Sequence, residues 1–177
     1  VIDNWDRNRA IVRAVREHQD KQALVLVKDV QGGHGRKLAE QLSCDFIHGK
    51  TKAPDREKAI ERLKNKEVNV LVGTAILRQG VDIPEVEVLV LAHPGSSMVD
   101  LIQRIGRARR PDPNNPNKTH AIVIDIYDYN ESFNDAPDML RQQAEKRLSL
   151  YRACGYTIEF KKEREVVRKH RTALQGG

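Results

Sequence analysis

The sequence predicts an α/β sandwich built around a mostly parallel sheet. Three observations carry that class. Short apolar runs such as Ala23-Leu24-Val25-Leu26-Val27 are continuous, as strands are when helices cover both faces of a parallel sheet. Stretches with apolar residues at helical spacing separate these runs, at lengths of about 8 to 15 residues. Gly- or Pro-bearing loops follow the runs at 28–35, 48–51 and 93–95. This alternation gives parallel strands joined by right-handed crossovers, and it puts functional loops beyond the carboxyl ends of the strands.

Taken in order, residues 4–18 read as a helix that Asp3 or Asn4 can cap, with Ile11, Val12 and Val15 as its apolar stripe. Trp5 is expected to be a packing anchor. The first strand, 23–27, runs into the Gly-rich loop 28–35. That loop does not match G-x-x-x-x-G-K-[ST], so it is no Walker A loop. Backbone amides at the start of the next helix, 35–42, can hold a phosphate, or the loop can be a plain tight turn. Residues 45–47 form a short strand, His48-Gly49-Lys50-Thr51 a loop, and Asp55 caps a helix to about Lys64. Strands follow at 68–72 and 86–91, the first feeding a Gly-, Asp- and Pro-containing segment at 73–84. Residues 111–118, with three prolines and three asparagines, are a loop, and 119–126 is the last strand.

Between those last strands lies the stretch with the most chemistry. Ser97 and Asp100 have capping-box spacing, and Met98, Leu101, Ile102 and Ile105 form one helical stripe. Gln103, Arg107 and Arg110 share a second face at i, i+4 and i+7. Gly106 between them permits close backbone approach, at about 1 kcal/mol in helix propensity. Two planar guanidiniums on one rigid face suit a polyphosphate or a phosphoryl-transfer transition state.

Composition narrows the partners. Of 177 residues, 32% are charged and 39% hydrophobic, with a net charge of +6, which fits a soluble domain with an anionic partner. No run of 18 apolar residues is present, so no membrane span is expected. The chain lacks a starting Met and a signal-peptide pattern. It is expected to begin inside a longer chain, to be cytoplasmic or nucleoid-associated, and not to be secreted. Cys44 and Cys154 are expected as free buried thiols, and no histidine spacing suits zinc, so no metal site is expected. Aromatic residues are only 5%, which favours backbone tracking over base stacking as the main grip on a nucleic acid.

Gln103-x-x-Gly106-Arg107-x-x-Arg110 resembles motif VI of superfamily 2 helicases and translocases. The sequence 72–75 through Gly80-Val81-Asp82-Ile83-Pro84 resembles their motif V. Gly49, Lys50 and Arg56 resemble motif IVa, and residues 23–28 with the loop after them resemble motif IV. Order and spacing over 23–110 match the second lobe of these enzymes. The resemblance implies a RecA-like three-layer sandwich over 1–130, of the P-loop NTPase superfamily, and a helical extension over 131–177 packed on the core or on a missing domain.

The resemblance also implies roles. Arg110 would be the arginine finger toward the γ-phosphate of ATP, Arg107 would support it, and Gln103 would couple the two sides of the cleft. Asp82 would meet the ribose hydroxyl, and Gly80 would let the nucleotide approach. Thr74, Gly49, Lys50, Arg56, Lys28 and Gly32 would touch the nucleic-acid strand. No Walker A lysine and no acidic pair are present. ATP with Mg2+ would therefore be held mainly by an N-terminal RecA-like lobe, and this chain alone would be inactive as a hydrolase. Motif VI begins with Gln103, not His, and lacks the Thr-Gly-Arg ending of DEAD-box RNA helicases, which leans the expected substrate toward DNA. An RNA helicase lobe, a passive nucleic-acid-binding module and an unrelated nucleotide-binding α/β enzyme are the competing readings.

Overall fold

The computed structural model describes residues 5–28, 33–74, 86–93, 121–127 and 139–161. Its elements, in chain order, are α1 (Trp5–Arg16), β1 (Ala23–Val27), α2 (Gly33–Leu42), β2 (Asp45–Ile47), α3 (Ala53–Lys64), β3 (Val70–Thr74), β4 (Val88–Leu91), β5 (Ile122–Asp125) and α4 (Met139–Ala153). The five strands form one sheet in the order β2-β3-β1-β4-β5. Every pairing in it is parallel. The strand order reverses at β1, with β2 and β3 on one side of it and β4 and β5 on the other.

Strand polarity to the two faces follows residue parity, and so does the core. On one face Ala23, Val25, Val27, Val72, Val88 and Val90 meet Ile11, Val12 and Val15 of α1 and Leu38 and Ala39 of α2. On the other, Leu24, Leu26, Leu71, Leu89 and Leu91 meet Ala59 and Leu63 of α3, with Leu150 and Tyr151 of α4 packed beside them. The result is three layers, helix, sheet and helix. All of β1 is buried, as a central strand covered on both faces must be. Each fully buried Val or Leu there contributes about 1.5–3 kcal/mol.

Several expectations shift in detail. Asp55 does not cap α3: Lys52 occupies the cap position without a side-chain bond, Pro54 is in the first turn, and Asp55 adds its charge to that turn instead. Strand β3 starts at Val70 because Asn69, just before it, already accepts the bond from Ala23 N–H. Gly155, at φ +70°, is the left-handed stop of α4, and Tyr156 N–H donates to Tyr151 O across it. Trp5 is no buried anchor, being 53% exposed. Cys154 is exposed and only Cys44 is half-buried, where burial pushes its thiol up to about 11. The segments 75–85 and 94–110 lie outside the described residues.

Candidate nucleic-acid and nucleotide edge

Because all five strands are parallel, their carboxyl ends share one edge. The register aligns Ile47 with Gly73, Val27 with Thr74, Leu26 with Leu91, and Leu91 with Asp125. Lys28 is the exposed residue after Val27, and Thr74, buried, is the last residue of β3 beside it. The loop after β2 holds Gly49 and Lys50 on the surface, and Arg56, half-buried, sits in the first turn of α3. Lys28, Gly49, Lys50, Arg56 and Thr74 thus fall on the ends of three adjacent strands. Lys52, exposed between Lys50 and Arg56, adds a cation that the motif comparison passes over.

The 48–51 loop is closed by its own bonds. His48 N–H donates to Thr51 Oγ1 at 2.9 Å, and Thr51 N–H donates to His48 O at 2.9 Å. Lys50 N–H points at His48 Nδ1, 3.3 Å away. The His48 ring stacks on Phe46 with centroids 5.2 Å apart. Phe46 in turn lies over Gly35, where any Cβ would collide with its ring. Gly35→Ala is therefore expected to destabilise the chain. Overpacking of about 1–3 kcal/mol exceeds the gain of about 0.5–1 kcal/mol from replacing a helical glycine. Denaturant unfolding checks this, and an unchanged or raised midpoint would contradict the packing of α2 on β2.

Of the remaining expected site residues, Gly32, Gly80, Asp82, Gln103, Arg107 and Arg110 lie outside the described residues. Their segments leave from this edge: 75–85 directly follows Thr74, and 94–110 follows Ala92-His93 beyond β4. Among the described residues no cluster of His, Cys, Asp and Glu is arranged to hold a metal ion, and no helix is long and apolar enough to cross a membrane.

Sequence reasoning missed a buried polar network at the far end of the same edge. Arg147 of α4, 5% exposed at its side chain, grips Asp125 at the end of β5, 16% exposed. Its Nε donates to Oδ2 at 2.7 Å and its Nη2 to Oδ1 at 3.1 Å, a bidentate fork. Nη2 also points at Ile126 O, 3.4 Å away, and Tyr151 OH donates to Asp125 Oδ2 at 2.8 Å. Burial above all, then the neighbouring carboxylate, pushes the Tyr151 hydroxyl well above its ordinary range. Arg7 of α1, also buried, completes the group. Burial pushes it down to about 10, Asp125 pulls it up and Arg147 pushes it down, and it stays protonated at neutral pH. At the next residue of α1, Asn8 Oδ1 lies 2.9 Å from His34 Nε2 at the start of α2. The signal for Arg147 was present: it lies three residues after Ala144 and four before Tyr151, apolar residues at helical spacing in the sequence. A charged residue on a buried helix face needs a partner.

Comparison with known proteins matches residues 6–112 to the helicase conserved C-terminal domain. A provisionally named helicase 22 from the Sulfolobus islandicus filamentous virus (isolate Iceland/Hveragerdi) is 31% identical over 147 residues, 80% of this chain and 24% of its own. The ATP-dependent RNA helicase DDX1 of Xenopus laevis is 34% identical over 115 residues, 56% of this chain and 16% of its own. A provisionally named DNA 3'-5' helicase Rad25 of Halobacterium salinarum is 33% identical over 110 residues, 62% of this chain and 18% of its own. This chain spans a quarter or less of the length of these relatives. The C-terminal domain of the DEAD-box protein Dbp5 superposes with a TM-score of 0.63 at 16% identity, over 86% of this chain and 80% of that one, a likeness of fold.

Proposed function

The chain belongs to the helicase conserved C-terminal domain family, the second lobe of superfamily 2 helicases, and on that premise we propose that it is one half of a motor that moves along or separates nucleic-acid strands, driven by ATP. The observation that carries this is the convergence of Lys28, Lys50, Arg56 and Thr74 at the carboxyl ends of adjacent strands. Lysine and arginine there neutralise phosphates without reading sequence. Gly49 exposes backbone at the same rim, and Gly32 follows Lys28 by four residues in the sequence. Thr74 is buried, so its part is a hydroxyl and an amide at the floor of the track. Residues 1–130 are the lobe itself, and 131–177 are an extension that serves it structurally.

The nucleotide side is assigned to Gly80, Asp82, Gln103, Arg107 and Arg110. Their segments leave from the ends of β3 and β4, which fits a nucleotide at the same edge. Bound ATP, with Mg2+ held mainly by an N-terminal RecA-like lobe, supplies the phosphoryl chemistry. The residues of this chain orient the γ-phosphate and carry cations to it. Alone, the chain does not hydrolyse ATP. Gln103 at the head of motif VI favours DNA, as does the relative named as a DNA helicase. The relative named as an RNA helicase favours the second reading, an RNA-directed lobe.

Lys50→Ala with Arg56→Ala tests the track. The chain is expected to bind nucleic acid weakly. The slope of log K against log salt is expected to fall by about one per cation removed. Titration of a labelled oligonucleotide at several salt concentrations measures it. An unchanged slope takes both residues off the strand.

A further inference from the structure

The chain has one tryptophan, and it stands exposed at the start of α1. The Arg9 guanidinium lies over its ring, 4.4 Å from the centroid, and covers one face. Two anchors fix where this pair sits. Asn8 meets His34 at the start of α2, directly after the loop that leaves β1. Arg7 lies within electrostatic reach of Asp125 at the end of β5. Both anchors are at the carboxyl edge of the sheet, so Trp5 stands on the rim of the edge that holds Lys28 and Lys50.

From Trp5 a row of arginines runs down the helix. Arg9, Arg13 and Arg16 follow it at i+4, i+8 and i+11, on a flank away from the buried Ile11, Val12 and Val15. Arg16 Nη2 donates to Gln41 O at 3.1 Å, so this flank borders α2, whose first turn exposes Arg36 and Lys37. The carboxylate of Glu17 is paired with Lys161 at 3.0 Å and lies within electrostatic reach of Arg13 as well.

We propose that this flank of α1 is a second contact for single-stranded nucleic acid, with one unpaired base stacked on Trp5 at the rim and Arg9, Arg13 and Arg16 taking the phosphates that follow. A single strand is the occupant because stacking needs a free base face, which a duplex does not offer. A row of cations one helical turn apart complements a chain of phosphates. The inference rests on the reading that this lobe contacts nucleic acid at Lys50 and Arg56, and it extends that track down the outer helix. One stacking point leaves backbone contact as the main grip, in keeping with the low aromatic content.

The lone tryptophan is its own reporter. The 177-residue chain is titrated with a 20-mer oligodeoxythymidylate, the oligouridylate of the same length, the corresponding duplex and heparin. Both single strands are expected to quench the Trp5 fluorescence to saturation, and the duplex and heparin are not. In anisotropy with a labelled single strand, Trp5→Ala is expected to weaken binding about five- to a hundredfold, and Trp5→Phe to retain most of it. Arg13→Gln with Arg16→Gln is expected to lower the salt slope by about 0.7 per cation. Equal quenching by duplex or heparin overturns the stacking contact. Binding that falls in Lys50→Ala with Arg56→Ala, but ignores Trp5→Ala and the arginine pair, overturns this inference and leaves the first reading standing. No binding of a single strand by the unaltered chain overturns both.

Discussion

In a protein carrying both lobes, Arg110→Ala is expected to lower kcat for ATP hydrolysis by about a thousandfold or more, the scale of an arginine finger. Arg110 lies outside the described residues, and its assignment rests on its i, i+4, i+7 spacing with Gln103 and Arg107 in the sequence. A guanidinium aimed at charge that develops on the γ-phosphate acts more on the transition state than on the ground state. ATP affinity should therefore fall less than kcat. Nucleic-acid binding without nucleotide should stay near normal, because Lys28, Lys50 and Arg56 belong to other strand ends. Arg110→Lys should not rescue, since an ammonium lacks the planar fork. Steady-state kinetics at saturating nucleic acid, beside a binding titration without ATP, measures all of these. Binding that collapses while kcat holds would put Arg110 on the strand instead.

The largest stability effect is expected at Asp125. Removing one member of a buried ion pair costs about 3–5 kcal/mol. Asp125→Asn does more than leave one partner alone, because it removes the charge that offsets the repulsion between the buried Arg7 and Arg147. Arg147→Met should cost less, since the Asp125 carboxylate then keeps Arg7. The double variant, Asp125→Asn with Arg147→Met, should be more stable than the sum of the two losses predicts, with a coupling of about 1–3 kcal/mol. A loss of about 4 kcal/mol in a chain of this size lowers the melting temperature by about 8–16 °C. Thermal unfolding of the three variants decides it. Additive losses would mean that Asp125 and Arg147 do not act as one group.

The sheet was legible because its strands are unambiguous. Ala23 to Val27 and Val88 to Leu91 have no polar residue to confuse their period, and the helices between them carry plain stripes. The three-layer arrangement follows from that alternation alone. The rim residues were legible for a different reason: Gly49, Lys50 and Arg56 follow a short strand at fixed offsets. What was hidden is long-range pairing. Asp125 and Arg147 are separated by an Asn-, Asp- and Pro-containing stretch, and neither alone says which partner it has. Trp5 misled because a large apolar ring at a helix start packs inward in most domains. Only the buried set Asn8, Ile11, Val12 and Val15 shows that it is turned the other way.

The central position of β1 has a consequence for how the chain is made. Both of its neighbours come later in sequence, Val70 onward in β3 and Val88 onward in β4. On a growing chain β1 therefore emerges with five apolar residues and no strand to pair with. Its pairings close long loops and cannot form as hairpins. Until β3 leaves the ribosome, the amphipathic faces of α1 and α2 can shield one side of it, and Ala59 and Leu63 of α3, once made, the other. Helices α1 and α2 are the elements that flank β1 directly in sequence and share its core face.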